Sequence, residues 1–329
     1  MKNDKLKTGV FIVPTGIGAS IGGYAGDAGA YARKFAKYTN LIVNPNVVNA
    51  GGFSAITDNM LYTEGYALDM FFKGEVNLLP SNNNKIGIIY DKAIPQKILN
   101  VHINTHNAVK VVYGIDICAY EITEEDVGVE FFVDKSGVST GNVKNIETLG
   151  KACEKLLAKG CDAIAIVCLF EDSETDNPEY SSGEGVDPVG GVEAIISHYI
   201  SKYYKVPCAH SPAFRTCEIE TDIVNPKSAS EYITPTFLPC ILLGLSQAPK
   251  LVSPDSSEGI NIKDVDFLVM PYNSLGSTPV FEAVKHKIPI YAIQENSTIL
   301  DVTAQKLGLS DKVINILTYE DCLRRILES

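Results

Sequence analysis

Apolar runs of strand length alternate along the chain with amphipathic stretches of helical period. That alternation predicts a mostly parallel sheet whose strands are joined by helices. Eight runs carry the strand signal, at 9–14, 41–45, 85–91, 162–170, 206–212, 266–272, 289–296 and 312–317. The spacing of Leu149, Cys153, Leu156 and Leu157 predicts a helix over 147–159 that stops at Gly160. Asp187 as N-cap and Pro188 as first helical residue announce a second helix through 204, and Thr318 caps a third at the C-terminus. The stretch 116–143 lacks helical period and reads as two strands, an antiparallel addition. The expected fold class is therefore α/β: mostly parallel, Rossmann-like sheeting flanked by helices, with a small antiparallel strand addition. Its expected halves are 1–145 and 146–329, or the two form one domain.

Loops at one sheet edge come next, because ligands of open parallel sheets sit outside the carboxyl ends of the strands. After the first strand lies a glycine-rich loop with Thr15, Gly16, Gly18, Gly22 and Gly23; after the second lie Asn44, Asn46 and Asn49. Later strands are followed by Glu171 and Asp172, by Glu184 and Asp187, by His210, Ser211 and Arg215, by Asn273, Ser277, Thr278 and Glu282, and by Glu295, Asn296 and Thr298. The glycine loop reads Gly-x-Gly-x-x-x-Gly, one residue away from the dinucleotide fingerprint, and no acidic residue closes the second strand. A Walker loop is excluded as well, since no lysine occurs between Lys7 and Lys34. What remains is an anion-facing turn at a helix start near 23–27, with a second such start at 276–279. The expected ligand-binding residues are Thr15, Gly16, Gly18, Gly22, Gly23, Asn44, Asn46, Asn49, Asn273, Ser277, Thr278, Glu282, Glu295 and Asn296.

His210, Glu184 and Asp187 are the expected proton carriers, although Asp187 has a structural role ready as a helix cap. His102 and His106 stand four apart, a metal-compatible spacing, but with no third ligand in the sequence nearby they read as surface residues, and no metal site is assigned. No cofactor is assigned either.

Net charge of −12 repels a phosphate backbone, so nucleic acid is not an expected partner. No run of about eighteen apolar residues occurs, and the first residues enter a strand without a signal-peptide core. The expectation is a cytoplasmic protein with no membrane partner; a homo-oligomer stays open. Eight cysteines without a Cys-x-x-Cys pair read as reduced core thiols.

The strings "PTGIGASIGGYAGDA", "NPNVVNA", "YTEGYALDMF", "GEGVDPVGGVEAIISH", "VPCAHSPA", "TFLPCILLGLSQAPKLV" and "IYAIQENSTILDVT" resemble blocks of a bacterial and cyanobacterial family called domain of unknown function 3326. The resemblance covers nearly the whole chain and implies no established activity. The family often has His-Pro-Asn at Asn44-Pro45-Asn46 and Cys-Gly-Gly at Leu275-Gly276-Ser277, so this member departs at both. Separately, 276–296 is similar to the donor-binding segment of nucleotide-sugar enzymes. The leading expectation is an enzyme binding a small anionic metabolite and using acid–base chemistry, as isomerase, lyase or hydrolase. A nucleotide-sugar or nucleotide-dependent transferase or epimerase, or a non-enzymatic binding protein, are the alternatives.

Overall fold

The computed structural model describes residues 6–23, 27–170 and 182–329. Along the chain run β1 (Thr8–Phe11), α1 (Ala28–Ala36), β2 (Asn40–Val43), α2 (Pro45–Val48), β3 (Asn49–Ala50), β4 (Phe53–Ser54), β5 (Met60–Tyr62), α3 (Gly65–Phe72), β6 (Asn77–Leu79), β7 (Ile86–Tyr90), α4 (Gln96–Tyr113) and β8 (Ile117–Ile122). They are followed by β9 (Val129–Val133), β10 (Ser139–Val143), α5 (Ile146–Ala158), β11 (Ala163–Leu169), α6 (Gly190–Tyr204), β12 (Cys208–Ala213), α7 (Ala229–Tyr232) and α8 (Leu238–Ser246). The last elements are β13 (Lys250–Val252), β14 (Phe267–Pro271), α9 (Thr278–His286), β15 (Ile290–Ile293), β16 (Val313–Ile316) and α10 (Tyr319–Glu328).

Two parallel sheets organise the molecule. The first has six strands in the order β16-β15-β14-β1-β2-β5, the second four in the order β12-β11-β7-β8. All eight strands expected from apolar runs are present, and each sits inside one of these sheets because both faces are covered by helices, as a continuous apolar run requires. β1 is buried throughout, and Gly9 lets the Phe267 ring of the neighbouring strand lie where a side chain would otherwise be. The strand order reverses between β1 and β14 in the first sheet and between β7 and β11 in the second, and such switch points open a crevice above the strand ends. One apolar cluster joins Phe11, Val43 and Tyr62 of the first sheet to Ile88, Val167 and Ala209 of the second, with Leu238, Ile241 and Leu245 of α8 between them. Each sheet draws strands from both sides of residue 145.

Several local expectations shift. Gly160 ends α5 with φ of 85°, as the glycine signal indicates. Helix α6 starts at Gly190 and not at Pro188; Asp187 still serves its start, its carboxyl accepting from Val189 N at 3.0 Å. The stretch 116–143 gives three strands. β8 joins the second sheet in parallel with β7, and only β9 and β10 form the antiparallel addition.

His102 and His106 are buried, not superficial, because the face of α4 that carries them packs inward. His102 Nδ1 pairs with Thr236 Oγ1 and His106 Nδ1 with Tyr90 Oη, each at 2.8 Å. The cysteines also need correction: Cys118 and Cys161 form a disulfide, their Cα atoms 6.4 Å apart. Cys118 points out from edge strand β8 and Cys161 follows α5, which packs on that strand, so the pair meets across a helix–sheet contact that sequence spacing does not reveal. Cys153, Cys168, Cys208, Cys240 and Cys322 are free and buried, and Cys217 is free and half-buried.

Candidate functional site

Between the carboxyl ends of the two sheets lies a cavity of about 730 Å³. The first sheet contributes the residues that follow its strands: Pro14 and Thr15 after β1, Asn44 and Asn46 after β2, Glu64 after β5. The second sheet contributes His210 and Pro212 of β12, and helix α6 with its leading loop contributes Asp187, Glu193, Ser197 and His198. The β9–β10 hairpin supports that wall. Ser139 N donates to Gly16 O at 3.0 Å, Ser139 Oγ donates to Pro188 O at 2.8 Å and receives Gly191 N at 3.1 Å, and Phe131 reaches the cavity. Gly191 is required here, because a Cβ would fall 1.9 Å from Ser139 O.

The polar groups form a chain. His210 Nδ1 pairs with Ser197 Oγ at 2.9 Å, Ser197 Oγ lies 3.5 Å from Glu64 Oε1, and Glu64 Oε1 grips His198 Nε2 at 2.9 Å. On its other side His210 Nε2 is 3.9 Å from Glu193 Oε2. Glu193 and Ser197 stand four apart on α6, which stacks them on one face. Glu64 is fixed as the N-cap of α3, its second oxygen accepting from Tyr66 N at 2.8 Å and Ala67 N at 3.1 Å. Gly65 leaves space for the His198 ring, whose Nε2 lies 2.9 Å from where a Cβ would stand.

Burial sets the charge states. Loss of water, with the neighbouring His198 charge, pulls the His210 imidazole down to about 3, so it is neutral at pH 7. Burial pushes the Glu193 carboxyl well above its ordinary value, and the charges of Asp187 and Glu231 add to that rise. Asp187 is raised by burial against the lowering effect of the Val189 and Gly190 N–H groups. At His198, burial works downward, but the bond to Glu64 and its charge outweigh it and the imidazole is raised. Among the described residues, the buried atoms Glu193 Oε1, Ser277 Oγ and Asn49 Oδ1 have no hydrogen-bond partner, and all three residues line the cavity. Unpaired polar atoms around a cavity are what a bound molecule would satisfy.

Of the expected site residues, the structure brings Thr15, Asn44, Asn46, Asn49, Asp187, His210 and Ser277 to this cavity. The others lie elsewhere. Gly16 and Gly18 sit in the turn that packs on the β9–β10 hairpin and on Gly185, both in the left-handed region. Gly22 N donates to the Asp27 carboxylate, so that N–H of the loop is taken by the chain itself. Gly23 is packed on the Ala19 backbone. Asn296 is fully buried and ties Ile21 to Tyr319 Oη, while Glu295 accepts from Tyr319 N at 2.6 Å. Asn273 pins Thr298 and Leu300, Thr278 bonds Asp69, and Glu282 pairs with Lys285. Glu184 is exposed and outside the cavity lining. Glu171 and Asp172 lie outside the described residues.

Glu64, Glu193, Ser197 and His198 were not read from the sequence. Glu193, Ser197 and His198 sit together on an amphipathic helix whose polar positions look solvated until the second sheet covers them. Glu64 follows the three-residue strand β5, too short to register as an apolar run. Among the described lining residues there is no lysine or arginine, while Glu64, Asp69, Asp187, Glu193 and Glu231 all face inward. The raised imidazole of His198, also in the lining, is engaged by Glu64.

Comparison with known proteins places the chain. It belongs to the family described as protein of unknown function (DUF3326), which matches residues 8–326. It is also 39% identical over 307 residues to an uncharacterized lipoprotein of Synechococcus sp., covering 92% of this chain and 85% of that protein. No solved structure matches it. The lipoprotein name of this relative overturns the cytoplasmic expectation: the absence of an apolar run says nothing about a lipid attached to the chain. Within the described residues no helix is long and apolar enough to cross a membrane.

Proposed function

We propose that this member of the DUF3326 family is an enzyme that moves a proton on a small molecule bound in the cavity between the two sheets. His210 acts as general base and Glu193 as the adjacent acid. The observation that carries this reading is the 3.9 Å approach of His210 Nε2 to Glu193 Oε2 on one cavity wall. Their surroundings push the two groups apart in acidity: burial holds the His210 imidazole in its neutral form and raises the Glu193 carboxyl. A substrate C–H or O–H bond breaks and its proton passes to His210 Nε2. Glu193 delivers a proton where the electron pair settles. The net change is an isomerisation or an elimination, and the imidazolium resets the pair by passing its proton to the neighbouring Glu193 carboxylate, 3.9 Å away.

The lipoprotein name of the Synechococcus relative and the Cys118–Cys161 bridge together support an oxidising setting outside the cytoplasm. Incubation of the protein with a cyanobacterial metabolite extract in D2O tests the chemistry without knowledge of the substrate. Mass spectrometry should find deuterium entering a small set of metabolites with the native protein and not with His210→Gln or Glu193→Gln. Identical labelling with native protein and His210→Gln would sink the reading.

A further inference from the structure

Three features of the cavity bear on what it holds. Its described lining has five carboxyl side chains and no lysine or arginine. Four aromatic rings share that lining, those of Phe131, Phe214, Tyr232 and Phe237. Finally, Glu193 is 93% buried, since only 7% of it is exposed, and its Oε1 has no hydrogen-bond partner among the described residues although Glu193 lines the cavity. A buried carboxyl oxygen with nothing to bond is costly unless a donor arrives. Carboxylates and aromatic faces together are the surroundings that favour an organic cation, the rings acting through their quadrupoles and the acids through charge.

A second cavity of about 610 Å³ continues from the first, sharing Pro212, Phe214, Glu231, Tyr232 and Phe237 with it. Its lining adds Glu218 and Glu220 and, among the described residues, again no lysine or arginine. Phe214, Tyr232 and Phe237 thus stand at the junction of two acidic chambers. Among the described residues no three His, Cys, Asp or Glu side chains are grouped as a metal ion would require.

We propose that the substrate carries an ammonium group, seated at this aromatic junction against Glu193, Asp187 and Glu231, with the remainder of an elongated molecule reaching into the second chamber. This rests on the acid–base reading and names its substrate class. The cation completes that mechanism. Glu193 is faced by Asp187 from the loop before α6, by Glu231 of α7, by His210 of β12, by Cys168 of β11 and by Cys240 of α8. None of these is a fixed positive charge, so the arriving ammonium is the group that turns Glu193 from a proton holder into a ready donor.

The test is affinity selection with mass spectrometry. Probes are choline, 1,4-diaminobutane and phenethylamine mixed with 1,4-butanediol and succinate, together with the cation-exchange, anion-exchange and unretained fractions of a cyanobacterial extract. The expected result is retention from the cationic set only, weakened about tenfold or more in Glu193→Gln, whose circular dichroism and melting confirm its fold. Phe237→Leu, which keeps an apolar side chain, should weaken retention as well. Retention from the anionic or uncharged set, retention of nothing, or retention indifferent to both variants would overturn the inference. Should deuterium still enter an uncharged or anionic metabolite under His210 control, the acid–base reading survives and the amine alone is lost.

Discussion

Ser197 Oγ stands 2.9 Å from His210 Nδ1 and 3.5 Å from Glu64 Oε1, so one buried hydroxyl joins a strand of the second sheet to a helix cap beside the first. It fixes the imidazole so that Nε2 turns toward Glu193. Ser197→Ala should lower stability by about 1 kcal/mol through the lost bond. It should also let the His210 ring exchange tautomers. Urea denaturation reads the first effect and 15N chemical shifts of the two ring nitrogens read the second. Unchanged shifts would mean that Ser197 does not position the base.

His210 imposes a pH dependence of known sign. Its imidazole titrates near 3 in the folded protein against about 6.5 in the unfolded chain. Between those values the unfolded chain takes up a proton that the native state refuses. Acidification from pH 6.5 toward 3 therefore destabilises, by up to about 1 kcal/mol per pH unit. Buried His102, brought down to about 4, acts in the same direction, while the raised carboxyls of Glu193, Asp187 and Asp91 act oppositely. Comparison of native protein with His210→Gln isolates the one group: the variant should gain relative stability as pH falls from 7 to 4, measured by denaturant midpoints at each pH.

The parts of the molecule legible in the sequence are those where one segment contains its own signal. β1, β7, β11 and β14 are apolar runs buried on both faces, and α5 and α10 carry their own caps, so pattern alone finds them. The candidate site was legible only in part. Asp187, Asn46 and Ser277 lie in segments that follow strands and fell to the strand-end rule, whereas His210, found with them, stands inside β12. Glu193, Ser197 and His198 gain their meaning when α6 is laid against β12 and α3, contacts between distant segments that no local pattern encodes. The glycine loop misleads for a physical reason: its Gly22 N donates to Asp27 and its Ser20 N donates to Ser297 O, so these donors are spent on folding.

The Cys118–Cys161 bridge closes a loop across 43 residues of sequence separation. A loop of that length should contribute about 3 to 4 kcal/mol by restricting the unfolded chain. Exposed Cys118 leaves the bridge open to a reductant. Addition of a phosphine reductant should lower the melting temperature by several degrees. Cys118→Ser should reproduce that shift and be insensitive to reductant. Mass spectrometry after alkylation of native protein should find six reactive thiols upon unfolding and not eight, in agreement with the six free cysteines.

Glu193→Gln separates the role of this residue in stability from its role in chemistry. A carboxyl whose folded value is raised contributes stability at pH below its unfolded value of about 4.3, and that contribution is lost as pH rises through the folded value. Glutamine keeps the shape and does not titrate. The variant should therefore match the native protein near pH 4 and exceed it at pH 8.5 by about 1 kcal/mol or more, as burial of an unpaired ionised carboxyl is relieved. Solvent deuterium incorporation should vanish in the same variant, because the amide has no proton to deliver. Urea midpoints at the two pH values read the stability, and the D2O experiment reads the chemistry. A variant less stable than the native protein at pH 8.5 would mean that the Glu193 carboxylate is already compensated in the folded chain, and the acid assigned to it would have to be sought at Asp187.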